Sequence, residues 1–292
     1  MRTGPTAVTD AVTRRQARRG LAIYFGVVIV LSAGIEGFIL MNPHLDGLIA
    51  GLMLVPALAA VSARLLLREG FADVSFRLGG RRGWTAVGFA LLFPFAVGIV
   101  AYGAAWATGL ARFEPQPVGG LILPFAVGIL VGLFLASGEE IGWRGYMLTR
   151  LIDAGVPRPV LAGGLIWALW HVPLVLGGVY AAGPSPALSA LLIVVSITSF
   201  GYVISRLRLE TGSVWPAVAL HAAWNRTIQG PFDGATAGDG AMLWVGESGV
   251  LTALVLVLAA VICSRGRWTI IRALPGREEV PSAAGLHAWR HP

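Results

Sequence analysis

"LILPFAVGILVGLFLASGEEIGWRGY", Leu121–Tyr146, decides how the chain folds. From Leu121 to Ala136 every side chain is apolar or glycine; two adjacent glutamates, Glu139 and Glu140, and an arginine, Arg144, then follow without a helix-breaking signal. A hydrocarbon core of about 30 Å needs roughly 20 helical residues to cross it, so the run spans only if it carries the acidic pair into the bilayer. Ionised groups are costly there, and those that persist are paired or functional.

Working outward, the chain divides into eight apolar runs: Leu21–Met41, Gly47–Leu67, Trp84–Leu110, Leu121–Arg150, Val160–Val179, Ala187–Leu207, Ser213–Ile228 and Leu243–Cys263. The composition agrees with such a series. The 292 residues are 56% hydrophobic and 13% charged, with a mean hydropathy of +0.74, which excludes an ordinary water-soluble domain. Backbone groups in lipid must be satisfied internally, and the runs are too long and too evenly apolar for barrel strands. The expected fold is therefore all-α: a polytopic membrane bundle of about eight transmembrane helices at 21–263, with polar tails at 1–20 and 264–292 expected to be largely disordered.

All 22 basic residues are arginine, and they fall mainly on one side of this topology. Arg2, Arg14, Arg15, Arg18 and Arg19 precede the first run, Arg68, Arg77, Arg81 and Arg82 follow the second, and Arg150 and Arg158 flank the turn after the fourth. Arg206 and Arg208 follow the sixth run, and five more lie beyond the eighth. By the positive-inside rule both termini are cytoplasmic. The net charge of +7 thus reports topology, and nucleic-acid binding is not needed to explain it. The first run resumes after Glu36, which reads as an uncleaved anchor and not a signal peptide. The single Cys263 can form no internal disulfide. The loop 68–83 is long enough for an interfacial helix, the outer loops 111–120, 180–186 and 229–242 read as turns, and no internal repeat is present.

Ionisable groups far from the ends of the runs are few: Glu139, Glu140 and Arg144, then His171, then His221 with Asn225. Glu36 and Glu247 lie near outer ends, and Arg64 lies near an inner end, where it is expected to snorkel. Measured from the inner ends of their runs, Glu139 and His171 both lie roughly 16 Å deep and His221 about 12 Å deep. They can meet at one level. Consecutive helical residues point about 100° apart, so Glu139 and Glu140 should have different jobs. Glu140 and Arg144 form a favourable i, i+4 pair, which leaves Glu139 as the free carboxylate. His221 and Asn225 project from one helix face, Trp167 covers the same face as His171, and Pro173 removes the backbone donor to the Leu169 carbonyl.

The same residues carry a family resemblance. "EEIGWR", Glu139–Arg144, resembles the Glu-Glu-x-x-x-Arg motif of the CAAX prenyl protease and bacteriocin-processing family, also known as CPBP or Abi. "WALWH", Trp167–His171, is similar to its second motif, Phe-x-x-x-His, with Trp167 in place of Phe; "HAAWN", His221–Asn225, is similar to the third, His-x-x-x-Asn. The three occur in order on separate runs, over roughly 120–228. The resemblance implies an intramembrane endopeptidase, acting on a membrane-associated peptide or protein as in CAAX-type or bacteriocin-related processing. It implies Glu139 as general base on a water, His171 as the residue that positions that water, and His221 and Asn225 as donors to the oxyanion. Glu140, Arg144 and Trp167 support them. A Zn²⁺ held by Glu139, His171 and His221 is one form of this chemistry, and a metal-free glutamate mechanism uses the same residues.

Other classes fit less well. The chain has no His-Glu-x-x-His and no Gly-x-Gly-Asp, and "GESG", Gly246–Gly249, superficially resembles a rhomboid serine motif but has no later run to supply a histidine. A proton- or ion-coupled transporter would use Glu139, His171 and His221 as a relay, and would gain from repeat symmetry, which is absent. A silent scaffold of the same fold is the third reading, against which the intact polar set argues. The all-arginine basic set suggests a GC-rich bacterial genome and so a plasma-membrane location.

Overall fold

The computed structural model describes residues 5–115, 122–181 and 183–265, and helices make up nearly all of it. α1 (Pro5–Met41) leads through a 3-10 turn (Pro43–Leu48) into the short α2 (Ile49–Leu52) and α3 (Val55–Leu67); α4 (Gly80–Thr108) follows. α5 (Ile122–Glu140) runs through a π-helical turn (Ile141–Met147) into α6 (Leu148–Asp153). Then come α7 (Pro159–Leu176), α8 (Pro186–Thr211), α9 (Trp215–Thr227) with a second π turn (Ile228–Phe232), α10 (Ala241–Trp244) and α11 (Val250–Ser264). Among the described residues, five stretches are long and apolar enough to cross a membrane: Val12–Met41, Pro43–Leu67, Gly80–Thr108, Pro159–Leu176 and Pro186–Thr211. The chain is an all-α, multi-pass membrane protein. Of the remaining expected spans, the fourth is the path α5–π turn–α6, the seventh is the 13-residue α9, and the eighth is the apolar but shorter α11.

Large apolar side chains face outward along these helices, Val30 and Leu130 each being 70% exposed, as lipid contact requires and water would not favour. Inside, the helices approach on small residues. A Cβ on Gly164 of α7 would lie 2.9 Å from the Thr198 carbonyl oxygen of α8, and one on Gly201 of α8 would lie 3.1 Å from the Gly164 Cα and 3.2 Å from the Arg144 guanidinium. This close contact lets the middle of α7 reach Arg144.

Four expectations need correction. Residues 5–20 are helical, not disordered: no Gly or Pro interrupts Thr6–Arg19, and Ala17 and Leu21 pack into the core, so the membrane helix simply continues. Arg64 does not snorkel. It is 1% exposed, pairs with Asp73 at 2.7 Å and donates to the Gly70 carbonyl, because the loop after α3 folds back and brings acids to it. Of the expected interfacial helix in that loop only a 3-10 turn, Ala72–Val74, forms; Arg150 draws the same loop in, pairing with Glu69 at 2.7 Å and Asp73 at 3.0 Å. At the opposite end the outer loops are tied together by strands β1 (Arg112–Phe113) and β2 (Thr236–Ala237), antiparallel with Arg112 opposite Ala237. The expected tail beyond Arg265 lies outside the described residues.

Candidate active site

The acidic pair closes α5, and the helix then widens into the π turn. Gly142 sits against Pro56 of α3 so closely that a Cβ there would lie 2.3 Å from the proline Cβ and 2.5 Å from its carbonyl oxygen. Single π turns commonly mark functional positions, because the extra residue re-aims the side chains around it. Here Glu139, Glu140, Trp143 and Arg144 are all buried.

Glu140 and Arg144 meet as their spacing dictates, Nη1 to Oε1 at 2.9 Å. The same Oε1 also takes Nδ1 of His221 at 2.8 Å, so the pair is a three-residue node between α5 and α9. The Arg144 guanidinium lies 4.0 Å from the Trp167 ring centroid, a buried cation–π contact. Glu139 has no arginine partner, but neither is it free. Its Oε2 accepts the indole N–H groups of Trp167 at 2.8 Å and Trp143 at 3.2 Å, while Oε1 faces His221 Nε2 across 4.0 Å. Two neutral donors satisfy one oxygen of this buried carboxylate, and the other makes no hydrogen bond among the described residues.

On α7, His171 sets Nδ1 against the Trp167 carbonyl at 2.8 Å. A carbonyl can only accept, so Nδ1 carries the hydrogen in this bond and Nε2 presents its lone pair. His171, His221 and Asn225 line one cavity of about 20 Å³ together with Trp167, Tyr180 and Glu247. A cavity of roughly 10–15 Å³ on this measure admits one water. The Asn225 carboxamide makes no protein hydrogen bond among the described residues and faces this space. Glu139 borders the cavity through two of its lining residues, Trp167 at 2.8 Å and His221 at 4.0 Å. Helices α5, α7 and α9 thus bring Glu139, Trp167, His171, His221 and Asn225 to one region, with Glu140 and Arg144 beneath.

Three participants were missed from sequence. Trp143 lies at i+4 from Glu139, within the quoted motif, so helical spacing could have found it. Tyr180 falls in the outer loop 180–186 and Glu247 near an outer end, and no local pattern marks either, because the turns between helices that bring them inward are set by tertiary packing. Ser248 of the "GESG" stretch is 1% exposed and donates to the Ala181 carbonyl at 2.5 Å, which is a structural bond.

A zinc site would need its ligands grouped. No three of His, Cys, Asp and Glu lie close enough to hold an ion among the described residues, so Glu139, His171 and His221 do not fit a three-ligand site as arranged. Each imidazole nevertheless has Nδ1 against an oxygen, which fixes its orientation and leaves Nε2 without a hydrogen bond among the described residues.

Residues 121–227 match the family described as type II CAAX prenyl endopeptidase, Rce1-like. That segment contains all three motifs and helices α5 through α9. No curated protein matches the chain. The family match agrees with the CPBP resemblance of the motifs, and at family level it indicates a CAAX-type protease embedded in the membrane.

Proposed function

We propose that this chain hydrolyses a peptide bond in a membrane-associated peptide or protein, using a water activated by Glu139 without a resident metal. The observation that carries the reading is the asymmetry of Glu139: Oε2 is held by two indoles, and Oε1 is open toward His221 at 4.0 Å. In the reaction Oε1 removes a proton from the water as its oxygen attacks the scissile carbonyl, and His171 Nε2 orients that water by accepting its second hydrogen. Charge develops on the former carbonyl oxygen, where the Asn225 carboxamide N–H donates together with Nε2–H of His221, which acts as the imidazolium because its Nδ1–H already bonds the Glu140 carboxylate. The tetrahedral intermediate collapses when Glu139 returns the proton to the leaving nitrogen and the C–N bond breaks. Glu140 and Arg144 hold His221 and the ring of Trp167 in register. The depth of these residues below the arginine-rich end favours a site reached from the cytoplasm or inner leaflet of a bacterial plasma membrane.

The test is cleavage by purified protein in lipid vesicles, on substrates found by comparing membranes of cells that carry the parental protein or Glu139→Gln. We expect Glu139→Gln to lose activity by about 10²–10⁴-fold with the fold retained. Parental rates in Glu139→Gln, His171→Ala or His221→Ala would overturn the reading, and gradient-dependent uptake lost in the same variants would replace it with transport. Stoichiometric zinc, with activity lost on its removal and regained on its return, would overturn the metal-free form.

A further inference from the structure

The cavity that holds His171, His221 and Asn225 has a second acid in its wall, and neither the three motifs nor the mechanism above uses it. Glu247 lies in the turn between α10 and α11, yet only 7% of it is exposed. Its neighbours aim it inward. Gly246, at φ +84, donates its N–H to Tyr102 Oη at 3.0 Å, and Ser248 Oγ donates to the Ala181 carbonyl at 2.5 Å. No arginine or histidine pairs with Glu247 among the described residues. Both carboxylate oxygens are occupied instead by donors that line the cavity from two different segments: Oε1 accepts Trp224 Nε1, on α9, at 2.6 Å, and Oε2 accepts Tyr180 Oη, from the turn after α7.

Those two donors are the immediate neighbours of the chemistry. Trp224 precedes Asn225 on α9, so its ring orientation sets the rotation at which the carboxamide enters the cavity. The Tyr180 ring lies against the His171 imidazole, with centroids 5.6 Å apart. A carboxylate can accept from both donors at once; an amide has one acceptor oxygen, and its N–H₂ would face the other donor. We infer that Glu247 is a positioning residue, one that sets His171 through Tyr180 and Asn225 through Trp224 and so fixes the distance between the attacking water and the oxyanion donors. This rests on the hydrolytic reading above. Small misplacements of positioned groups are expensive in rate, up to about 10²-fold for an ångström.

The experiment compares Glu247→Gln, Tyr180→Phe, Trp224→Phe and the pair Glu247→Gln/Trp224→Phe with the parental protein and Glu139→Gln in vesicles. We expect Glu247→Gln to lower kcat by about 10- to 100-fold with KM within about twofold, and to add little to the loss in Trp224→Phe. Tyr180→Phe, which keeps the ring and removes only the hydrogen bond, should lower kcat in the same sense and serves if Glu247→Gln does not fold. An inactive Glu139→Gln beside parental kcat in Glu247→Gln and Tyr180→Phe would overturn this inference alone; full activity in Glu139→Gln would overturn the hydrolytic reading. Spectra of protein labelled with ¹⁵N in tryptophan and histidine test the positioning without turnover. Glu247→Gln should move the indole N–H signal that Trp224→Phe deletes, and also the His171 signal; an unmoved His171 would overturn the inference.

Discussion

Trp167 Nε1, on α7, donates to Glu139 Oε2, on α5, across 2.8 Å, while the face of the same indole carries the Arg144 guanidinium at 4.0 Å. One side chain therefore holds the Glu139 carboxylate by its edge and the neighbouring cation by its face. The phenylalanine of the motif that this stretch resembles could do only the second. Trp167→Phe is expected to keep the cation–π contact and lose one charge-assisted hydrogen bond, costing about 1.5–3 kcal/mol. Thermal unfolding in detergent should register that loss, with cleavage reduced by less than about tenfold because Trp143 still holds Oε2. A fall as deep as that of Glu139→Gln would assign Trp167 a part in the chemistry.

Arg144 and Glu140 are 2% and 0% exposed and share the node with His221. Removing one partner of a buried pair leaves the other uncompensated, at a cost of about 3–5 kcal/mol. Arg144→Leu should therefore unfold well below the parental temperature. Replacing both, as Glu140→Leu/Arg144→Leu, should be less destabilising than Arg144→Leu alone by unfolding in the same detergent. Equal losses in the single and double variants would mean that the ion pair contributes only through its packing.

Gly142 lets the π turn touch α3, since a methyl there would collide with the Pro56 backbone, which cannot swing aside as a long side chain could. Gly142→Ala should cost about 1–3 kcal/mol through overpacking and reduce cleavage by displacing the acidic pair. Gly132, on α5, is the control. A Cβ there would meet only the Arg226 side chain, at 3.6 Å, so Gly132→Ala should be neutral or gain up to about 1 kcal/mol from helix propensity. Similar melting temperatures for the two variants would refute the close-contact argument.

The polar residues of the site were legible in sequence for a definable reason: a charge in an apolar run stands out against its background, and i, i+4 spacing then assigns faces. Glu140–Arg144 followed from spacing alone, and the common depth of Glu139, His171 and His221 anticipated that their helices converge. What spacing could not give was the donor set of Glu139, because one of its two indoles comes from another helix. Glu247 was hidden for the same reason, its role being set by a turn that returns to the bundle. Arg64 failed differently: snorkelling assumes water at the helix end, whereas the loop with Asp73 covers that end. In the N-terminal segment polarity points to a disordered tail, yet nothing in Thr6–Arg19 breaks a helix and α1 runs through it.

Asp233 gives a prediction whose sign depends on pH. It follows the second π turn, at the end of the bundle where β1 and β2 pair, and Tyr102 Oη donates to its Oδ1 at 2.5 Å. Burial pushes its carboxyl from an ordinary 3.8 up to about 6, with the nearby charge of Glu247 acting in the same direction and the tyrosine hydrogen bond opposing it. The folded state then binds this proton more tightly than the unfolded chain. Its stabilising contribution is present in full below about pH 4 and is lost as pH rises through about 6. Asp233→Asn keeps an acceptor for Tyr102 and carries no charge, so it should be more stable than the parental protein at pH 8, on the order of 2 kcal/mol, with the gap narrowing toward pH 5. Melting temperatures of both proteins in one detergent at pH 5, 6.5 and 8 give the comparison. A gap that stays constant across the three would mean that Asp233 is not the group that titrates. A gap that widens toward pH 5 would mean that the ionised form is the one the fold holds, and that the hydrogen bond from Tyr102 outweighs burial.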